Sequence, residues 1–184
     1  MKKLLLGITC LLSLTVVFAQ TRYFTKTGHV SFYSKTPMEN IEAQHRSATC
    51  VVDVGTGAIQ MAVLMKGFSF EKALMQEHFH ENYVESDKYP KSEFRGVIEN
   101  ISSVQFTKDG SYPVTVKGKL TLHGVTKDIA TNGVMVVKNG KPSASAEFNI
   151  ALSDYNIAIP SVVKEKISNT IAIKVDCDLE PLKQ

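Results

Sequence analysis

The chain has 184 residues, of which 43% are hydrophobic and 21% are charged, with 21 basic against 18 acidic side chains. This length suits a single domain that can bury a large core without disulfide or metal support. A net charge so close to neutral argues against nucleic acid as a partner.

The first segment, MKKLLLGITCLLSLTVVFAQ, has the organisation of a secretory signal peptide. Two lysines form its positive start, a long apolar run follows, and the small residue Ala19 ends it. We therefore predict a signal peptide over residues 1–19, a domain over residues 20–184, and a periplasmic or secreted location. No later run reaches the roughly 20 apolar residues that a membrane span requires.

Cysteines are few, and only Cys50 and Cys177 lie beyond the predicted leader. An exported protein lies in a compartment where a disulfide can persist. Both cysteines also alternate with apolar neighbours, which is typical of buried free thiols. The sequence leaves their pairing open.

Most of the remaining chain alternates between apolar and polar residues, which is the period of a β-strand with one dry face. The run over residues 114–123 alternates most regularly, with valine and leucine on one face and threonine and lysine on the other. This pattern predicts an antiparallel all-β domain. In chain order, the alternating runs include residues 29–33, 59–65, 114–123, 145–152 and 171–179.

Turn residues separate these runs at Gly55-Thr56-Gly57, Lys108-Asp109-Gly110 and Asn139-Gly140. Asp-Gly and Asn-Gly tolerate the positive φ of tight turns, so these clusters predict hairpins. The stretch 160–167 predicts a short helical turn. Because no repeat or linker interrupts the pattern, we expect one domain over about residues 22–182.

One region, residues 70–84, has helical rather than strand periodicity. The pattern predicts a short helix with His78 on its apolar face and His80 on its wet face. The residues that recur at spacings of one, three and four are Leu74, Met75, His78, Phe79, Asn82 and Tyr83.

His78 and His80 are close enough in sequence to suggest a metal site. On a strand they would share a face, whereas on a helix residues two apart point in different directions. A zinc or copper site also needs a third and usually a fourth ligand, and the other histidines lie far away in the sequence. Metal binding through His78 and His80 is therefore the less favoured alternative.

The sequence contains no pattern typical of nucleophilic or acid/base catalysis. Ser161 lacks a Gly-x-Ser-x-Gly context, and Glu77 and Glu81 share a solvated helix face instead of converging. We predict a protein that is not an enzyme and that needs no cofactor.

Methionine and phenylalanine are frequent on the faces that we predict to point inward. A closed sheet of about eight strands has an interior that its own side chains fill or that holds one slender ligand. Methionine also suits walls that accept irregular apolar ligands. The residues that we predict to line the lumen or its mouth are Val30, Phe32, Met61, Val63, Met65, Phe68, Leu74, Phe79, Phe94, Leu120 and Leu122.

Two parts of the chain carry longer motifs. The first contains MQEHF at residues 75–79, YVESDKYP at 83–90 and FRG at 94–96, and the second is VKGKLTLHGVTK at 116–127. Together they resemble the YceI-like family of exported, lipocalin-like polyisoprenoid-binding proteins. The second motif is the more specific, and the resemblance covers nearly the whole predicted domain.

The resemblance implies an antiparallel lipocalin-like β-barrel of about eight strands, with one or two short helices and a long apolar lumen. It implies a periplasmic carrier that sequesters an isoprenoid or quinone-like lipid without catalysis. It gives structural roles to His78 and to the turns at Tyr89-Pro90 and His123-Gly124. Many members have Arg-x-Asp-aromatic-Gly where this chain has LSDYN at residues 152–156, so a ligand contact by that arginine is not expected here.

Two alternatives to the carrier stay open at this point, and metal binding through His78 and His80 is the less favoured one. A stress-response or structural barrel with a filled core would have the same alternating strands. The oligomeric state, including a homodimer, is also left open by the sequence.

Overall fold

The computed structural model describes residues 22–182, and over this range the secondary structure is mostly β-strand. The predicted signal peptide lies outside the described residues. Over residues 22–182 the strands are β1 (Arg22–Lys35), β2 (Asn40–Asp53), β3 (Ala58–Leu64), β4 (Ser69–Phe70), β5 (Lys91–Ile98), β6 (Gly110–Leu122), β7 (Val125–Lys138), β8 (Lys141–Ala151), β9 (Thr170–Asp178) and β10 (Glu180–Pro181).

Eight of these strands form a closed antiparallel barrel, which confirms the predicted fold class. The sheet follows the order β1-β9-β8-β7-β6-β5-β3-β2, and pairing of β2 with β1 closes it. Closure leaves the barrel with no free edge along most of its length. The two-residue strands β4 and β10 attach to β2 and β1.

The two ends of the barrel differ. The upper end, as defined here, carries the β1–β2 hairpin, the segment 71–90 between β4 and β5, and the segment 152–169 between β8 and β9. The lower end carries the β2–β3 and β7–β8 hairpins. A cluster of buried apolar side chains fills the interior of the lower end, and it includes Tyr23, Val52, Val104, Val137 and Leu179.

Two of the three predicted hairpins are present. Asn139 and Gly140 join β7 to β8 with φ angles of 51° and 71°, and Gly57, with φ of 75°, ends the β2–β3 turn. The prediction at Asp109-Gly110 was wrong, because the segment 99–109 joins β5 to β6. The Asp109 carboxylate instead accepts a hydrogen bond of 2.8 Å from the backbone N–H of Asn139, so it supports a neighbouring turn.

Helical elements are short. Helix α1 spans Ala73–His78, a π-helical turn follows at Phe79–Tyr83, and the predicted turn near residue 160 is a 3₁₀ turn at Ser161–Val163. Further 3₁₀ turns lie at Met65–Gly67, Ile101–Ser103 and Leu152–Tyr155. None of the helices in residues 22–182 combines the length and apolar character needed to cross a membrane.

The predicted burial of the two neighbouring histidines was wrong. His78 is exposed, whereas His80 is half-buried and its ring packs edge-on against Phe79, with centroids 5.4 Å apart. For His80, which follows the end of α1, the reason is the π turn, in which the N–H of Val84 donates to the carbonyl of Phe79 at 3.0 Å. This wider turn changes the angular advance per residue, so a uniform helical period misplaces the side chains.

Candidate functional site

A cavity of about 530 Å³ occupies the interior of the barrel. This volume lies within the range of small-molecule pockets in proteins. Its wall is almost entirely apolar. All eleven residues predicted for the lumen or its mouth line this cavity, namely Val30, Phe32, Met61, Val63, Met65, Phe68, Leu74, Phe79, Phe94, Leu120 and Leu122. That they contact a ligand stays a prediction.

Strand register explains why residues far apart in sequence meet on the wall. Met61 of β3 pairs with Phe94 of β5, and Phe94 pairs with Leu120 of β6. Directly paired residues lie on the same face of a sheet. The three side chains therefore form one inward row across three strands.

The mouth of the cavity lies at the upper end. Leu74 of α1 lies there with 62% of its surface exposed, so it belongs to the rim and not to the core. The other side of the rim is formed by the segment 152–169. Residues of this rim that line the cavity include Glu39, Lys72, Met75, Val163, Lys166 and Ile167.

Four phenylalanines attach the helical segment to the barrel just inside the mouth. Phe32 of β1 lies 5.4 Å from Phe68, 5.8 Å from Phe70 and 5.3 Å from Phe79, measured between ring centroids. The tilted and edge-to-face arrangements are those that aromatic rings prefer. Phe79, on the π turn, is thereby held over the lumen.

The inner end of the cavity also contains three residues that we did not predict for the lumen. Cys50, Met135 and Cys177 line it and are nearly inaccessible to solvent. Both cysteines alternate with apolar residues, and this signal indicates their inward direction. Met135 lies in an uninterrupted run of valines and methionine, where alternation cannot tell the two faces apart.

A polar cluster stabilises the upper end beside the mouth. His123 Nε2 lies 2.7 Å from a carboxylate oxygen of Glu85, and His123 Nδ1 lies 3.0 Å from the carbonyl oxygen of Tyr155. A carbonyl oxygen only accepts, so Nδ1 carries a proton and donates it. The ring therefore links three segments: the loop after the π turn, the β6–β7 hairpin and the 3₁₀ turn at Leu152–Tyr155.

The motif residues His123 and Gly124 form the β6–β7 turn, as the family resemblance implied. Their φ angles are 50° and 73°, which is the geometry of a tight hairpin. A side chain at Gly124 would overlap the ring of Tyr89, so this position requires glycine for space as well as for conformation.

Residues 152–156 differ from the pattern found in many family members, and the structure explains this difference at one position. Asn156 takes the place of the glycine found in many family members, and its φ is 55°. Asparagine tolerates this left-handed conformation better than most residues. Tyr155 before it is 1% exposed, and burial, followed by the nearby charge of Asp154, raises the pKa of its hydroxyl.

Within residues 22–182, no group of three or more His, Cys, Asp or Glu side chains is placed to hold a metal ion. The pKa of His80 is lowered by burial and then by the charge of Lys66. His80 is therefore biased toward its neutral form.

Comparison with solved structures places the fold. A polyisoprenoid binding domain from Saccharophagus degradans, implicated in plant cell wall breakdown, superposes with a TM-score of 0.77 at 14% identity, covering 88% of this chain and 98% of that one. BcnA from Burkholderia cenocepacia gives a TM-score of 0.67 at 17% identity, covering 83% and 96%. The YCEI protein of Campylobacter jejuni gives 0.54 at 16% identity, covering 100% and 92%.

Sequence comparison identifies the family. No curated protein matches the chain significantly. The model of the YceI-like domain, however, matches residues 13–179, which is most of the chain. The protein therefore belongs to the family of YceI-like domains.

Proposed function

We propose that this protein is an exported carrier that sequesters an isoprenoid or similar long apolar lipid, such as a quinone tail, inside the barrel. The observation that carries the proposal is the cavity of about 530 Å³ with its apolar wall. The description of the Saccharophagus degradans relative as a polyisoprenoid binding domain supports the choice of ligand. The leader-like residues 1–19 support export.

Burial of hydrocarbon supplies the binding energy in this proposal. At about 25 cal/mol per Å², a chain that hides roughly 300 Å² of apolar surface gains about 7 kcal/mol, before the cost of ordering it. The wall offers few polar partners, so it suits a tail better than a head group. A polar head would then lie at the mouth, near Lys72 and Lys166.

The proposed role needs no catalytic step. The polar cluster of His123 and Glu85 is occupied by structural hydrogen bonds, and its partners lie in the chain itself. Catalysis requires such groups to face a reacting molecule. We therefore propose a structural role for this cluster and lipid binding and release as the function of the barrel.

The test is native mass spectrometry of the exported protein, followed by denaturing organic extraction. We expect a mass excess that disappears on denaturation and an apolar lipid in the extract. Exported protein that shows no such mass excess would contradict the carrier function and favour a structural role.

A pair of variants locates the ligand. Ala146→Phe adds a ring on the cavity wall, whereas Asn149→Phe adds the same ring on an exposed position of the same strand. We expect the first to abolish lipid retention and the second to leave it intact. In a hollow barrel the added ring finds space, whereas in a filled core it would cost about 1–3 kcal/mol of stability.

A further inference from the structure

Two free thiols lie together at the inner end of the cavity. Cys50 is on β2 and Cys177 is on β9, and they are 2% and 3% exposed. Both line the cavity, so the lumen gives access to them. Strands β2 and β9 are not direct neighbours, because β1 lies between them.

The sulfur of Cys177 lies over the intervening strand because that strand has a glycine at this point. A Cβ atom on Gly28 would lie 3.1 Å from Cys177 Sγ and 2.9 Å from the carbonyl oxygen of Ala48. Without this atom, the Cys177 side chain extends over the backbone of β1, toward the strand that carries Cys50. Gly28 thus provides the space for a thiol pair.

β1 is also irregular at this position. Its pairing with β2 shifts register on both sides of Gly28, and its pairing with β9 begins only at His29. A bulged segment with no β9 partner can shift without breaking a regular ladder.

The two thiols are chemically unequal. A hydrogen bond from Cys177 lowers the pKa of Cys50 against the opposing effect of burial. The same hydrogen bond, then burial and the charge of Cys50, raise the pKa of Cys177. Cys50 therefore ionises first, and the thiolate is the form that attacks a disulfide.

We propose that Cys50 and Cys177 form a redox-active pair that closes to a reversible intramolecular disulfide when an apolar disulfide reagent enters the cavity. The bridge would connect β2 to β9 across β1. Strands that flank a common neighbour lie roughly 9–10 Å apart in a flat sheet, beyond the usual span of a disulfide. Closure therefore requires the bulge at Gly28 to move, and a strained bridge of this kind is easily reduced.

The chemistry is a two-step thiol–disulfide exchange. The Cys50 thiolate attacks one sulfur of the reagent, forms a mixed disulfide and releases one reagent thiolate. Cys177 then loses its proton and attacks the Cys50 sulfur, which forms the protein disulfide and releases the second reagent thiolate. The protein loses two electrons and two protons, and the reagent disulfide is reduced to two thiols that carry those protons.

The experiment uses the reduced, exported protein and 2,2′-dipyridyl disulfide, a small apolar reagent that fits the lumen. Release of pyridine-2-thione is followed by absorbance, and the remaining thiols are then blocked with N-ethylmaleimide in denaturant. We expect two released thiones per protein molecule, no maleimide adduct, and a cross-linked peptide pair containing Cys50 and Cys177. Dithiothreitol should restore both thiols. A Cys10→Ser background removes the leader cysteine from the thiol count.

Matched variants identify the order of the steps. Cys177→Ala and Cys50→Ala should each release one thione and retain a thiopyridyl adduct, and each should react more slowly than the wild type, because either change removes the contact that lowers the pKa of Cys50. The proposal is overturned if the wild-type protein retains a thiopyridyl group or if both cysteines take up maleimide after oxidation. Both of these results are measured on the wild-type protein, so misfolding of a variant cannot produce them.

Discussion

His45 shows how a single residue can connect burial with pH dependence. Its side chain is 0% exposed, and its Nδ1 accepts a hydrogen bond of 3.2 Å from the backbone N–H of Ser47. A Cβ atom on Gly67 would overlap the ring, so the 3₁₀ turn at Met65–Gly67 packs directly on it. Burial, which is the largest cause, lowers the pKa of His45, so the folded protein holds a neutral imidazole.

The lowered pKa of His45 predicts a loss of stability in mild acid. In the unfolded chain the imidazole takes up a proton near pH 6.5, whereas in the folded protein it stays neutral to lower pH. The stabilisation is therefore present above about pH 6.5 and is lost as the pH falls below that value. We expect the free energy of unfolding in urea to decrease between about pH 7.5 and pH 5.

His45→Gln should flatten this pH dependence, because the amide does not titrate. His78→Gln replaces an exposed ring on the same chain and is the matched control. An equally steep loss of stability in the His45 variant and in the wild type would count against this assignment.

The upper part of the barrel is joined by side chains where one strand ladder is incomplete. β7 pairs with β6 along its whole length, but it pairs with β8 only from Gly133 to Lys138. Above this point, the Thr131 hydroxyl donates to the carbonyl of Glu147 at 3.1 Å. The His123 cluster then ties the β6–β7 hairpin to the segment that follows β8.

His123→Ala tests this role of the cluster. The variant removes the contacts of the ring with the Glu85 carboxylate and the Tyr155 carbonyl, at a cost of about 1–3 kcal/mol. We expect faster hydrogen exchange in residues 84–90 and 152–157, with little change in the lower halves of the strands. Glu85→Gln keeps a neutral acceptor and should show a smaller effect. Uniformly faster exchange throughout the barrel would argue against a local link.

The whole molecule is a hollow barrel that is plugged at one end and open at the other. The lower end is filled by a buried cluster in which the rings of Tyr23 and Phe106 stack 5.5 Å apart. The upper end leaves a cavity mouth between α1 and the segment 152–169. A ligand would therefore enter from above, with Cys50 and Cys177 at the far end of its path.

Lipid loading should protect these two thiols. A tail that fills the lumen would block the apolar reagent, so we expect oxidation of Cys50 and Cys177 to be strongly slower in the loaded protein. Loading is verified separately by thermal unfolding. Ligand at a hundred times its Kd adds about 2.7 kcal/mol, which raises Tm by roughly 5–10 °C.

The outcomes of this experiment distinguish the two proposals. Loaded protein that oxidises as fast as empty protein would place the lipid outside the inner cavity, without affecting the thiol chemistry. Empty protein that fails to form the bridge would contradict the thiol pair alone.

Local alternation in the sequence determined which side chains face inward in the regular strands. Val114, Val116, Leu120 and Leu122 of β6 all line the cavity, as their spacing predicted. This worked because a strand has a fixed period of two, so direction can be read without knowing the neighbours. The turn at Asn139-Gly140 was predictable for the same reason, since its conformation depends on two residues.

Tertiary structure decided what depends on distant parts of the chain. Asp109-Gly110 has turn chemistry, but no strand leads directly into it. The π turn at Phe79–Tyr83 makes His80 half-buried, which a uniform helical period does not predict. The placement of Cys50 and Cys177 on either side of β1 depends on strand order, and the position of Cys177 also depends on a glycine in that strand. The cavity is the part of the space enclosed by the closed barrel that its own side chains do not fill. Its volume depends on the strand order and on all the inward side chains together, so the local alternation of residues cannot predict it.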